Sequence, residues 1–333
     1  VDTVPAAAGR DLTAKAATIA GTGDVNLAAG NNLTITTADT ATSESHFRDV
    51  KKSGLGSAGA GISYGTHQTT DTTNDTVRGS QGSLVGSTDG SVHMQAGKDL
   101  HITGSDVVAA QNVTGVAQNV TIDAATTDHH HDETHEIKSS GFTLAIKSPV
   151  IDAIQNVQQQ AEASGNSQSS RASTLHAIAA VDGLGDVFGA AKGAAGALAD
   201  GKKPEAKVEL SWGSSSSKTT FTEDSTQNKG SSIKAGGATA FVATGDGTPG
   251  SGNINIVGSD INAKNVMLQA NNQVNLKGST DTDSTRSTNE SKSASIGVSY
   301  GTGGFGVSAS MSKAHGDANS DAQTQNNSHI NAS

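Results

Sequence analysis

The sequence predicts an all-β chain: a right-handed parallel β-helix with coils of about 20 residues, carrying extrahelical β-hairpins and one α-helical insertion. Apolar residues alternate in short bursts, and the bursts recur at a fixed interval. The composition is also too poor in large side chains for a thick core, with 33% hydrophobic and 3% aromatic residues, 40 Gly, 4 Pro and no Cys in 333 residues. Small inward side chains suit a thin rod better than a wide globule.

The bursts are Val92 and Met94, Leu100 and Ile102, Val107 and Val113, then Val120 and Ile122. A period of two places one face of each strand inside. Leu100 recurs as Val120, Ile102 as Ile122, Ile254 as Val274 and Ile256 as Leu276, always 20 positions on. Strands returning at that interval are what stacked coils require. Gly97-Lys-Asp99, Gly104-Ser-Asp106, Gly258-Ser-Asp260 and Asn271-Asn272 supply residues suited to the corners. A two-sheet sandwich accounts less well for the fixed interval.

Longer-range similarity divides the chain. Segment 25–35 superposes on 266–276, and Ile102-Thr-Gly-Ser-Asp106 on Ile256-Val-Gly-Ser-Asp260. Three units follow: 1–80 with a hairpin at about 44–80, 81–229 with a hairpin carrying a helical insertion at about 149–204, and 230–333 with a hairpin at about 287–320. Ser328-His-Ile-Asn-Ala332 resembles Ser232-Ile-Lys-Ala235, so the chain is expected to be an excerpt of a longer repetitive protein.

The third hairpin alternates Ala294, Ile296, Val298 and Tyr300, then Phe305, Val307, Ala309 and Met311, around Gly301-Thr-Gly-Gly304. Gly61-Ile-Ser-Tyr-Gly-Thr66 repeats Gly297-Val-Ser-Tyr-Gly-Thr302 in the first unit. In the second, Ile137–Lys147 leads out and Lys207–Phe221 returns with Val208, Leu210 and Trp212 on one face. Two readings follow. The favoured one packs each apolar face along the rod's flank, covering exposed edges. The other makes Ile296, Val298, Tyr300, Phe305 and Val307 membrane or partner contacts, since their alternation suits a membrane strand. The insertion changes period: Val150, Ile154, Val157 and Ala161 share one helical face, and Leu175, Ile178, Val181, Leu184 and Phe188 another. It reads as an Ala/Gly-rich helical linker or as a docking helix with Leu184 and Phe188 as contacts. Asp182, Asp186 and Lys192 disqualify it as a spanning helix.

Chemistry-bearing patterns are sparse. His129-His-His131-Asp-Glu-Thr-His135 offers imidazoles and carboxylates, with His129, His131 and His135 as metal candidates. It lacks the order of a zinc protease and reads instead as a solvated loop at the root of the second hairpin. A β-helix also hosts polysaccharide lyases and hydrolases, the alternative function. Here the candidates Asp99, Asp106 and Asp260 sit at recurring corners, as structural turn residues do, so no catalytic residue is assigned. Gly297-Val-Ser-Tyr-Gly301 fits the letters of a nucleophile elbow but lies within a hairpin. No cofactor, nucleic acid or small-molecule substrate is expected. The formal charge of −10, without an Arg-rich run, disfavours phosphate-backbone binding.

Ala29-Gly-Asn-Asn-Leu-Thr-Ile35, Ala96-Gly-Lys-Asp-Leu-His-Ile-Thr-Gly-Ser-Asp106 and Asn253-Ile-Asn-Ile-Val-Gly-Ser-Asp260 resemble haemagglutinin repeats of the filamentous haemagglutinin family of two-partner secreted exoproteins. The Ser-rich excursions, such as Leu210-Ser-Trp-Gly-Ser-Ser-Ser-Ser-Lys218, are similar to the second repeat region of contact-dependent growth inhibition effectors. This resemblance implies a non-enzymatic filament segment, secreted to the bacterial cell surface through an outer-membrane transporter partner. It also implies adhesion or toxin delivery at the target cell's surface or outer membrane. It does not extend to the insertion at 149–204.

Overall fold

The computed structural model describes residues 2–57, 61–147, 207–301 and 304–333. The expected helical insertion, with Leu184 and Phe188, lies outside the described residues. The chain winds through six coils, each laying down three short strands. These are β1 (Val4–Ala8), β2 (Leu12–Lys15) and β3 (Thr18–Gly21), then β4 (Val25–Ala29), β5 (Leu33–Thr36) and β8 (Leu84–Ser87). Next come β9 (Val92–Ala96), β10 (Asp99–Thr103) and β11 (Asp106–Ala109), then β12 (Val113–Ala117), β13 (Asn119–Asp123) and β16 (Ser232–Ala235). The last coils hold β17 (Ala238–Ala243), β18 (Asn253–Val257) and β19 (Asp260–Ala263), then β20 (Asn265–Ala270), β21 (Gln273–Lys277) and β24 (His329–Ala332). First, second and third strands stack into three parallel six-stranded sheets. Leu100 lies across from Val120, and Ile254 from Val274.

Alternation places Val25, Leu27, Leu33, Ile35, Leu100, Ile102, Ile254 and Ile256 in the core, essentially without solvent contact. Most core side chains are aliphatic or Ala, and among the described residues Phe241 is the one aromatic in the core. Room for its ring comes from Gly115, its register partner on the neighbouring coil: a Cβ there would stand 2.5 Å from Phe241 Cδ1 and 2.7 Å from Leu100 Cδ2.

The corner before the third sheet carries a serine ladder. The backbone N–H of Ser83 donates to Ser105 Oγ at 3.0 Å, Ser105 N–H to Ser231 Oγ at 3.2 Å, and Ser231 N–H to Ser259 Oγ at 3.0 Å. All four serines are buried. Each hydroxyl therefore satisfies a corner donor that no sheet ladder reaches, which a buried backbone needs. Gly104 just before it turns the corner at φ 52°, where a Cβ would meet Ala125 Cβ at 2.4 Å.

Every second coil is interrupted, between its second and third strands, by a long hairpin. The strands are β6 (Ala38–Ser57) and β7 (Gly61–Gln81), β14 (Ala125–Lys147) and β15 (Lys207–Lys229), and β22 (Ser279–Gly301) and β23 (Gly304–Asn326). Two coils advance the rod by about 9.6 Å, and two hairpin strands occupy about the same width. Neighbouring hairpins therefore meet edge to edge. They pair into one antiparallel sheet in the order β6-β7-β14-β15-β22-β23, with Phe142 facing Tyr64 on one side and Trp212 on the other.

This overturns the expectation that each hairpin lies along the rod's flank. Ile62, Phe142, Trp212, Ile296 and Phe305 are between 45% and 73% exposed. An adjacent hairpin at matching spacing satisfies the N–H and C=O groups of a strand edge, which side-chain packing on the rod cannot do.

Candidate functional site

The hairpin sheet gathers side chains from distant parts of the chain into cross-strand rows, and one face is layered from root to tip. Nearest the rod, one row holds Ser43, Thr76, His130, Asp224, Ser284 and Asp321. Further out comes a mixed row with Asp49, Glu136, Lys218, Glu290 and His315, then a row with Lys51, Lys138, Lys292 and Lys313. After a Ser/Thr-rich row come two apolar ones. Leu55, Tyr64, Phe142, Trp212 and Ile296 form the first, and Ile62, Leu144, Leu210, Val298 and Val307 the second. Tyr300 faces Phe305 one row nearer the tip. The opposite face behind the apolar rows is mostly small, with Gly65, Gly141, Gly213 and Ser295 in one row, and nearer the tip it holds Glu209, which accepts from the Ser308 hydroxyl at 2.9 Å.

Ile296, Val298, Tyr300, Phe305 and Val307, the contact candidates, thus fall within these rows, and all five are exposed. Sequence reasoning treated them as belonging to one hairpin. It did not identify Leu55, Tyr64, Phe142, Leu144 or Trp212 as their row neighbours. The recurrence of Gly-Ile-Ser-Tyr-Gly-Thr at the first hairpin signalled a like hairpin but not these rows, since Tyr64 shares the row of Ile296 and not of Tyr300.

The histidine cluster is strand and not loop, which corrects the sequence reading. Residues 128–136 pair on both sides within β14, so their polar character is no bar to sheet when two ladders are available. His129, His131 and His135 share the small-residue face, and His130 lies on the other. On a strand, residues four apart are separated by about 13 Å, so His131 and His135 do not converge. Each finds a carboxylate on β7 instead: His131 Nδ1 donates to Asp75 at 2.6 Å and His135 Nδ1 to Asp71 at 2.5 Å. His129 Nε2 stands 3.6 Å from Asp75. Among the described residues, no group of three or more His, Cys, Asp or Glu side chains is placed to hold a metal ion.

His130 bridges Asp224 on β15 at 2.5 Å and Asp132 at 2.7 Å. Hydrogen bonds to Asp224 and then Asp132 raise its pKa above the ordinary imidazole value. The Thr222 hydroxyl, followed by His130, lowers that of Asp132, and His131 lowers that of Asp75. His130, Asp132 and Asp75 thus make pH-sensitive clasps across the β7–β14 and β14–β15 seams.

Asp99 accepts a hydrogen bond from Asn119 at 3.0 Å within the second sheet. Asp106 and Asp260 head strands of the third sheet with Ser232 between them. Asp260 also accepts from His329 at 3.0 Å. Among the described residues, no helix is long and apolar enough to cross a membrane.

The family model described as hemagglutinin repeat matches residues 62–208 and 210–333. The chain is 44% identical over 339 aligned residues to a tRNA nuclease CdiA of Burkholderia pseudomallei, covering 100% of this chain and 26% of that protein. It is 34% identical over 299 residues to the 16S rRNA endonuclease CdiA of Enterobacter cloacae, covering 86% of this chain and 9% of that protein. A tRNA nuclease CdiA of Escherichia coli NC101 is 34% identical over 288 residues, with 85% and 9% covered. The chain spans about a quarter or less of the length of these relatives, and the nuclease activities in their names are properties of those proteins. With parallel coils in the rod and family matches over most of its length, this chain belongs to the hemagglutinin-repeat family and is similar to a repeat region of CdiA proteins.

Proposed function

We propose that this chain is a non-enzymatic segment of a large secreted exoprotein at the bacterial cell surface. Its role is adhesion or contact-dependent toxin delivery, with the hairpin sheet engaging the target cell's outer membrane. In this reading the rod is a right-handed β-helix with coils of about 20 residues. It comprises units 1–80, 81–229 and 230–333, exported with the help of an outer-membrane transporter. The nuclease activity of the relatives belongs to other parts of such proteins, and no nucleic acid or small-molecule substrate is bound here.

One observation carries the membrane reading: the apolar residues at the sheet's outer end are aligned across the strands and exposed, with Trp212, Ile296 and Phe305 at 45%, 56% and 73%. A contiguous apolar surface of this kind on a water-exposed sheet marks an interaction site. Ile296, Val298, Tyr300, Phe305 and Val307 make the contact, together with their row neighbours.

Incubation with Gram-negative outer-membrane vesicles, followed by co-sedimentation and proteolysis, tests the reading. The expected result is a pelleted chain protected over residues 287–320. A chain that stays in the supernatant and is cut freely there overturns membrane engagement and leaves a passive filament segment.

A further inference from the structure

The lysine row sits one Ser/Thr row behind the apolar ones. Lys51, Lys138, Lys292 and Lys313 come from all three hairpins and line one open groove of about 600 Å³, floored in part by Ser140 and Ser214. Their partners in the structure lie on the root side. Lys138 Nζ is 2.8 Å from Glu136, Lys292 Nζ is 2.7 Å from Glu290, and Lys313 Nζ is 3.8 Å from the same Glu290. These lysine side chains are more than half exposed, so the pairs are weak and exchangeable.

We propose that this groove receives the phosphate groups of an anionic lipid surface, and that the lysines form a belt limiting how deeply the hairpin tips enter. The inference rests on the membrane reading above and names the chemistry that reading leaves open.

Charge order supports it. A chain with formal charge −10 is repelled by an anionic surface as a whole. On this face, however, the carboxylates of Asp49, Glu136 and Glu290 are set back toward the rod in a row they share with Lys218, and the ammonium groups of Lys51, Lys138, Lys292 and Lys313 precede them toward the tip. Successive same-face rows are about 7 Å apart, within a Debye length of about 10 Å at 0.1 M salt, so the order along the strand is felt at the surface. Basic residues beside an apolar face are the arrangement by which interfacial elements bind anionic lipid.

Depth follows from the same spacing. The Phe142–Trp212–Ile296 row lies four residues beyond the lysines, about 13 Å along the strand. The flexible lysine stems reach part of that way while the ammonium groups remain at phosphate level. With phosphates held at the belt, the Trp212 row lies in the outer part of a hydrocarbon core about 30 Å thick. The belt thus sets the depth of that row.

The test uses the whole chain with two vesicle types, pure phosphatidylcholine and phosphatidylcholine mixed with phosphatidylglycerol. We expect roughly tenfold to hundredfold tighter co-sedimentation with the anionic vesicles. That preference should collapse near 1 M salt, where the Debye length is about 3 Å. It should also be lost when Lys51, Lys138, Lys292 and Lys313 are all changed to Gln, and kept when all four are changed to Arg, which separates charge from folding. Trp212, the chain's single Trp, reports depth, with stronger quenching by lipids brominated near the headgroup end of the chain than near the methyl end.

Equal binding to both vesicles, or a Gln variant that keeps the preference, overturns the lysine belt while membrane engagement stands. Stronger quenching by the deep label overturns the depth set by the belt. Loss of the preference on adding inorganic phosphate at constant ionic strength overturns the lipid assignment in favour of a free-anion site. Binding to neither vesicle overturns the membrane reading, and the belt with it.

Discussion

Gly115 lies directly across from Phe241 on the adjacent coil, and the space its missing side chain leaves is filled by the Phe241 ring. Sequence alternation alone assigns Val113 and Ala117 inward and with them Gly115, the smallest residue on the inner face of its strand. One oversized core residue is thereby matched with one undersized partner, as close packing in a narrow interior demands.

Gly115→Ala is expected to destabilise the rod by about 1–3 kcal/mol through overpacking. The measurement is the midpoint shift in urea unfolding. Adding Phe241→Leu should recover part of the loss, because the added methyl then has room. An unchanged midpoint in Gly115→Ala would contradict the packing account.

The serine ladder makes a second prediction. Ser231 Oγ accepts from the buried Ser105 N–H and also lies 2.8 Å from the Asp123 carbonyl, to which it donates. Ser231→Ala removes both bonds and leaves a buried donor unpaired, a cost of about 1–3 kcal/mol. Exchange of the Ser105 amide with deuterium should accelerate in this variant more than exchange of amides in the hairpin sheet.

A third prediction concerns pH. The raised pKa of His130 means that its clasp contributes fully below the unfolded value of 6.5 and fades as pH rises through the folded value. The lowered pKa values of Asp75 and Asp132 mean that theirs is present above 3.8 and lost as pH falls through the folded values. The seams are therefore firmest between those limits. Comparing the native chain with His130→Gln by thermal unfolding should show the larger gap at about pH 5.5 and a shrinking gap as pH rises through the folded value. A gap that widens with rising pH would contradict the assignment.

Pairing between hairpins is testable because the chain has no Cys. Thr66 Oγ1 and Ser140 Oγ, from the first and second hairpins, are 3.0 Å apart. Thr220 Oγ1 and Thr288 Oγ1 link the second and third at 2.5 Å. Thr66→Cys with Ser140→Cys, and separately Thr220→Cys with Thr288→Cys, should each form an intramolecular disulfide on mild oxidation, read by peptide mass mapping. Hairpins lying apart on the rod would give neither crosslink.

Much of the rod was legible in the residues themselves. Inward alternation at Leu100, Ile102, Val120 and Ile122 and the corner residues around Gly104 and Ser105 are local patterns, since side-chain direction and turn geometry depend on near neighbours in sequence. The hairpins were visible for the same reason through the apolar alternation of Ile296, Val298 and Tyr300. The polar run around His129 hid its strand character because nothing nearby in sequence supplies the two ladders that hold it. Hairpin partnership depended on a match between the rise of two coils and the width of two strands, which no single residue encodes. Only that tertiary match brings Lys51, Lys138, Lys292 and Lys313 into one row and sets Tyr64, Phe142, Trp212 and Ile296 side by side. Sequence by itself determined which way each side chain faces, and the stacking of the coils decided which distant side chains share a surface.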